Sequence, residues 1–168
     1  DHMPASDAVP SPLKFLGRIP GTPDELTYYK DIVRYFEALA KDAPTRARLF
    51  TIGKSEEGRD MIVLAIADEA TIKSLDKYKQ ITRELTDPRK LTDAQARRLI
   101  QTGKPFYMVN GSLHSSEAGS PEMLIELAFR LAVEETPFIQ QIRNNVITVI
   151  TPVAEVDGHE RQVDNRRA

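Results

Sequence analysis

Apolar residues recur at helical spacing near the start of the chain, with Leu26, Tyr29, Ile32, Val33, Phe36, Leu39 and Ala40 on one face. Thr22-Pro23-Asp24-Glu25 precedes them. A Thr cap, a Pro at the first helical position and a Glu closing a capping box predict a helix from there to about Lys41. Two strands are expected next, near residues 48–55 and 60–67, joined by a turn at Glu56-Glu57-Gly58-Arg59. The second strand is almost continuously apolar, a pattern that predicts cover on both faces. Residues 69–102 are polar and helical in character, split at Asp87-Pro88, with Thr92 as cap of the second piece.

Residues 105–110 read as a third strand ending at Gly111, and Ser120-Pro121-Glu122 starts another helix. Glu122, Glu126, Arg130 and Glu134 fall at four-residue steps, which predicts one narrow solvated stripe on an otherwise apolar helix packed against a sheet. A short helix over 137–144 leads to a β-branched run at 146–150, typical of a central strand. Strands alternating with helices imply a layered α/β domain with a mixed sheet. The third and fourth strands are expected to be parallel central neighbours, with the 121–134 helix as their crossover.

The 168 residues suffice for one domain with a real core. Asp1-His2-Met3 resembles the remnant of a cloning site, residues 4–21 read as an extended lead-in, and the domain proper is expected over 22–168. A net charge of −2 offers no electrostatic case for nucleic acid or a membrane surface. No apolar run reaches the ~20 residues that span a bilayer. The absence of cysteine excludes disulfides and thiolate metal sites, and leaves the compartment open.

The chemistry concentrates in residues 111–122, GSLHSSEAGSPE. His114 and Glu117 lie just past a strand's carboxyl end, where ligand sites collect in open α/β sheets. A separation of three residues puts both side chains on one side of a helical turn. Imidazole and carboxylate both ligate zinc, and a catalytic zinc needs three protein ligands plus an open position. The plainer reading is a histidine that caps or hydrogen-bonds within its loop. The order strand, glycine, H-x-x-E, capped helix favours the metal.

About forty residues on, the next strand ends in Thr151-Pro152-Val153-Ala154-Glu155-Val156-Asp157-Gly158-His159. This ordered pair of segments resembles the zinc carboxypeptidases, the carboxypeptidase A-like metallopeptidases. Their second strand is followed by P-x-x-N-P-D-G. Residues 52–61, with Gly58-Arg59 before an apolar strand, look like the family's hairpin, and residues 16–40 like its opening helix. The resemblance covers about residues 15–161. It implies a three-layer α/β/α sandwich, here an N-terminal portion only, and hydrolysis of the C-terminal bond of a peptide substrate. It makes His114 and Glu117 two of three ligands to a Zn2+ that lowers the pKa of bound water toward ~7 and polarises the scissile carbonyl. It also favours a secreted or periplasmic setting.

This sequence departs from that pattern in three places. Ser116 stands where the family often has a substrate-binding arginine, and of N-P-D-G only Asp157-Gly158 is kept. The third ligand, the general base and the substrate-binding residues are expected downstream of Ala168, so the catalytic residues are not identified here. His159 reads first as an exposed turn residue, and alternatively as a nitrogen ligand. Asp157 reads as a turn-former, and the arginines of 161–168 as a solvated tail or, less directly, as groups near an oxyanion. The function expected is a metallocarboxypeptidase that is inactive as 168 residues alone. The alternatives are a non-catalytic binding domain of the same fold and a zinc amidase acting on cell-wall peptides. A sheet without its later strands is expected to expose an edge and an apolar face.

Overall fold

The computed structural model describes residues 3–167. Four strands form one mixed sheet: β1 (Ala47–Lys54), β2 (Asp60–Ile66), β3 (Phe106–Asn110) and β4 (Ile147–Thr151), in the order β1-β2-β4-β3. β2 pairs antiparallel with both β1 and β4, and β3 pairs parallel with β4. The β1–β2 hairpin turns at Gly58, whose φ of 83° suits the left-handed region that glycine enters freely. Helices α6 (Gly119–Val133) and α7 (Pro137–Asn145) make the crossover between the parallel strands. The pair is parallel as expected, and among the described residues β3 stands last in the strand order.

Period-2 alternation along β2 sends its residues to two different layers. Ile62, Leu64 and Ile66 join the larger core, against α2 (Tyr29–Asp42) and α6. Ala65 and Ala67 join a smaller cluster with Ile72 of α3 (Glu69–Lys73) and Leu75 of α4 (Leu75–Leu85). Helices on both faces give the α/β/α layering, which explains the unbroken apolar run of β2. A short turn at Pro88–Lys90 and α5 (Asp93–Thr102) complete the polar insertion, and Thr92 and Gln95 form a full capping box.

The amino-terminal elements differ from expectation. Residues 4–21 contain α1 (Pro12–Leu16), started by Ser11 as cap with Pro12 at the first position and stopped by Gly17 at φ 77°. The helix expected from Thr22 begins at Tyr29. Asp24 lies at φ 64°, outside helical space. The segment before Tyr29, which runs through two turns, is held out of the helix by Glu122, whose carboxylate accepts from the backbone N–H of Thr27 (2.6 Å) and of Gly21 (3.1 Å) and pairs with Arg18 at 3.2 Å. A local capping signal lost to these tertiary hydrogen bonds. Glu122 is therefore 3 % exposed, and the solvated stripe of α6 lacks its first member.

The chain's end also differs. Residues 156–167 form α8 (Val156–Arg167) in place of a loose tail; Ala168 lies outside the described residues. Val156, His159 and Val163 fall on one face and are buried. His159, expected at an exposed turn, is fully buried, with its Nε2 3.0 Å from the Thr27 carbonyl oxygen and no partner for Nδ1. Asp157 and Gly158 are helical, so neither forms a turn.

Candidate metal centre

The loop after β3 is built by close backbone approach. Gly111 donates its N–H to the Thr151 carbonyl (2.9 Å), and its own carbonyl accepts from Ala154 N (2.8 Å). The Ser112 carbonyl accepts from Glu155 N at 2.9 Å. These bonds continue the β3–β4 ladder and zip the two post-strand loops together. A Cβ on Gly111 would lie 2.4 Å from the Pro152 carbonyl oxygen, so only glycine fits. On the other side, a Cβ at Gly158 would lie 2.6 Å from the Ser115 Cβ, so the first turn of α8 backs directly onto the loop.

Ser112 turns the chain with φ 46°, an uncommon conformation for a residue with a side chain. It is 1 % exposed and fully engaged: its N–H donates to Ser120 Oγ (2.8 Å) and its hydroxyl to the His114 carbonyl (3.1 Å). The Ser120 hydroxyl donates in turn to the Glu117 carbonyl at 2.9 Å. The two serines pin a tight turn in which Glu117 N–H donates to the His114 carbonyl (3.0 Å).

That turn brings the two expected ligands together. His114 Nδ1 is 2.7 Å from Glu117 Oε1, and His114 N–H donates to Oε2 at 3.1 Å. Both side chains face solvent, with 73 % of the imidazole and 49 % of the carboxylate exposed. The Glu117 carboxylate, as acceptor, raises the His114 pKa, and the hydrogen bond that His114 donates lowers that of Glu117. The pair thus favours a proton on the imidazole nitrogen, accepted by the carboxylate, at an open surface. A divalent cation that takes such a pair displaces that proton. The donor set fits zinc in atom type and accessibility, and Glu117 lies just before the N-terminus of α6.

Among the described residues, no group of three or more His, Cys, Asp or Glu side chains converges to hold a metal ion. The buried His159 faces Thr27 and does not join His114. Arg166 and Arg167 end α8, about 12 Å along its axis from Gly158 at a rise of 1.5 Å per residue. They bond to Asp24 and to the Leu26 carbonyl, so they form neither a solvated tail nor part of the loop. Asp157 is a structural group. Its carboxylate accepts from Ser55 Oγ (2.8 Å), Glu57 N (2.9 Å) and Arg59 (2.6 Å). Burial pushes its pKa up, but these donors outweigh burial and hold it below the ordinary carboxylate value.

The model of the family described as zinc carboxypeptidase matches residues 32–168. The chain belongs to the zinc carboxypeptidase family. Human carboxypeptidase D is 33 % identical over 128 residues, which is 74 % of this chain and 9 % of that protein. Among solved structures, carboxypeptidase A from Helicoverpa armigera superposes with a TM-score of 0.60 at 22 % identity over 86 % of this chain. Thrombin-activatable fibrinolysis inhibitor gives 0.60 at 15 % identity, again over 86 %. These superpositions establish the carboxypeptidase-like fold, a mixed sheet between helices. The chain spans 28 % and 29 % of those two structures, so this zinc carboxypeptidase domain is represented here by a part of its length.

Sequence spacing nominates His114 and Glu117 but not what positions them. Ser112 and Ser115 carry no sequence signal that separates them from other loop serines, and the helix-start signal at Ser120 does not reveal its bond to Ser112. The helix at Gly158 is not legible beforehand, because Asp157-Gly158 reads as a turn by local pattern.

Proposed function

We propose that this chain carries part of the active site of a zinc-dependent metallocarboxypeptidase that hydrolyses the C-terminal peptide bond of peptides. The observation that supports this reading most directly is the 2.7 Å approach of His114 Nδ1 to Glu117 Oε1, on a rigid loop at the carboxyl end of β3, in a chain of this family. His114 and Glu117 would be two of the residues that hold the Zn2+. A zinc ion bound there activates water and polarises a carbonyl. The chain's own residues hold the ligands ready: Ser112 and Ser120 fix the turn, and Gly111 and Gly158 let the strand end and α8 close behind it. The third ligand and the general base come from residues beyond Ala168 in a longer chain.

The expected behaviour follows from that division. With two protein ligands, the 168-residue chain takes up zinc weakly and shows no measurable carboxypeptidase activity, since a positioned general base alone contributes about 10²–10⁴-fold. In a longer chain, His114→Ala or Glu117→Ala abolishes metal content and turnover together while the fold persists. Elemental analysis alongside hydrolysis of a peptide with a free or a blocked C-terminus tests this. Cleavage without zinc, or unchanged metal and rate in Glu117→Ala, overturns it. A longer chain that folds but neither holds zinc nor cleaves supports a non-catalytic binding domain. Cleavage of cell-wall peptides in preference to ordinary ones supports the amidase reading.

A further inference from the structure

His159 is a buried histidine that the proposed zinc site does not use. It is 0 % exposed, and its two ring nitrogens have unlike surroundings. Nε2 lies 3.0 Å from the Thr27 carbonyl oxygen. A carbonyl oxygen only accepts, so Nε2 carries the hydrogen and donates it. Nδ1 is shut off from solvent and has no hydrogen-bond partner among the described residues. The buried ring is therefore the neutral tautomer, with its lone pair on Nδ1. A second proton there puts a charge and an unpaired donor into the interior together, and burial opposes both.

The charged groups around the ring are already committed. Across Thr27, the Glu122 carboxylate of α6 accepts the Thr27 N–H and pairs with Arg18, whose guanidinium also reaches the Thr27 hydroxyl. On the ring's own helix, Asp157 pairs with Arg59, Arg161 with Glu57, and Asp164 accepts from the Tyr28 hydroxyl. Glu160 accepts the Tyr29 N–H at the start of α2. On α2, Asp31 pairs with Arg34, and the Tyr29 hydroxyl donates to the Asp60 carbonyl. In the lead-in, Asp24 pairs with Arg166 and Glu25 with Arg167. None of these groups offers Nδ1 an acceptor. The two sides of the joint are held unequally. Asp157 fixes α8 to the β1–β2 hairpin, whereas residues 18–28 contain no helix or strand and are held by side chains of α6 and α8.

We propose that His159 is an acid-released latch on this strap of residues 18–28. With the ring neutral, the strap is closed against α6 and α8. Below about pH 6.5 a histidine in water takes its second proton. His159 gains that proton only where Nδ1 meets water, which requires the strap to lift off α8. Each opening takes up one proton from solvent: an Nδ1–H bond forms, and the hydrogen bond from Nε2 to the Thr27 carbonyl is given up. The closed strap is thus fully favoured at neutral pH and loses ground as pH falls. Linkage lets the open fraction rise by up to about tenfold for each further pH unit. Ordinary carboxylates titrate near pH 4, so a release between about pH 6.5 and 5 belongs to a histidine. The other described histidine, His114, is exposed and lies in the loop after β3, bonded to Glu117 and not to the strap.

Hydrogen exchange resolved by residue on the full chain, corrected for the intrinsic pH dependence of exchange, tests this across that window. The amides of Gly21 and Thr27, both bonded to Glu122, should open more readily by up to about tenfold per pH unit below about pH 6.5. The amides of β2 and β4 should keep their protection. His159→Gln keeps a neutral donor near the Nε2 position and does not titrate, so its strap should open equally across the window. Should that variant not fold, the parent decides: the NMR signals of the His159 ring should stay those of the neutral ring for as long as the strap is closed. Acid opening that persists in His159→Gln overturns the proposal. So does unchanged exchange in the parent, or a ring that titrates while Gly21 and Thr27 stay protected. None of these readouts involves metal or hydrolysis, so they stand apart from the function proposed above.

Discussion

Gly111 shows how one residue sets the geometry of the loop that carries His114 and Glu117. Adding a methyl group there brings a carbon within 2.4 Å of the Pro152 carbonyl oxygen and 2.7 Å of Leu124 Cδ1. The first neighbour is backbone and the second is a fully buried side chain, so neither can move aside cheaply. Gly111→Ala is expected to destabilise the protein by about 1–3 kcal/mol, the usual cost of overpacking. Gly53→Ala, with nothing within 4 Å, should stay within about 0.5 kcal/mol of the parent. Urea midpoints of the two variants provide the comparison. Equal midpoints would mean that the strand ends do not need their close approach.

At the scale of elements, the lead-in segment is held by one carboxylate. Glu122 of α6 binds Arg18, Gly21 N–H and Thr27 N–H. Thr27 also receives the Arg18 guanidinium on its hydroxyl and His159 Nε2 against its carbonyl oxygen. Three stretches of chain, α6, α8 and residues 18–27, thus meet at Thr27. Glu122→Ala leaves a largely buried guanidinium and two N–H groups without their acceptor. The expected loss is about 3 kcal/mol, with faster hydrogen exchange across residues 18–28. Glu126→Ala on the same helix removes a half-exposed pair with Arg130 and should cost about 0.3–0.5 kcal/mol. If the two variants lose the same stability, Glu122 is not the clamp.

For the molecule as a whole, Asp157 bolts the β1–β2 hairpin to α8 through Ser55, Glu57 and Arg59. Its carboxyl is held below the ordinary value, so the stabilisation is complete above the unfolded carboxylate pKa. It fades as pH falls through the lower folded value. Asp157→Asn should therefore lower the denaturation midpoint at about pH 7, and the gap to the parent should shrink as pH falls below the unfolded carboxylate value of about 4 toward the lower folded one. Denaturation curves across that range check the sign. A gap that widens in acid would contradict the assignment. The bolt matters because α8 also backs the loop of His114 and Glu117 at Gly158.

Local pattern alone identified the strand–helix alternation, the hairpin turn at Gly58, the capping box at Thr92, and the placing of His114 and Glu117 between β3 and α6. Each of these depends on residues within about one or two turns of one another, a range over which periodicity and capping act. Tertiary structure decided the rest. The start of α2 moved from Thr22 to Tyr29 because Glu122, nearly a hundred residues away, claims the backbone in between. The same contact buried a glutamate that period and charge had assigned to solvent. His159 is buried because α8 presents it to Thr27, and Asp157 is a bolt because the hairpin folds back over it. The placing of β4 between β2 and β3 follows from strand order, which no local signal encodes. Sequence spacing could nominate the donor pair; only the packed backbone brought the two donor atoms to 2.7 Å.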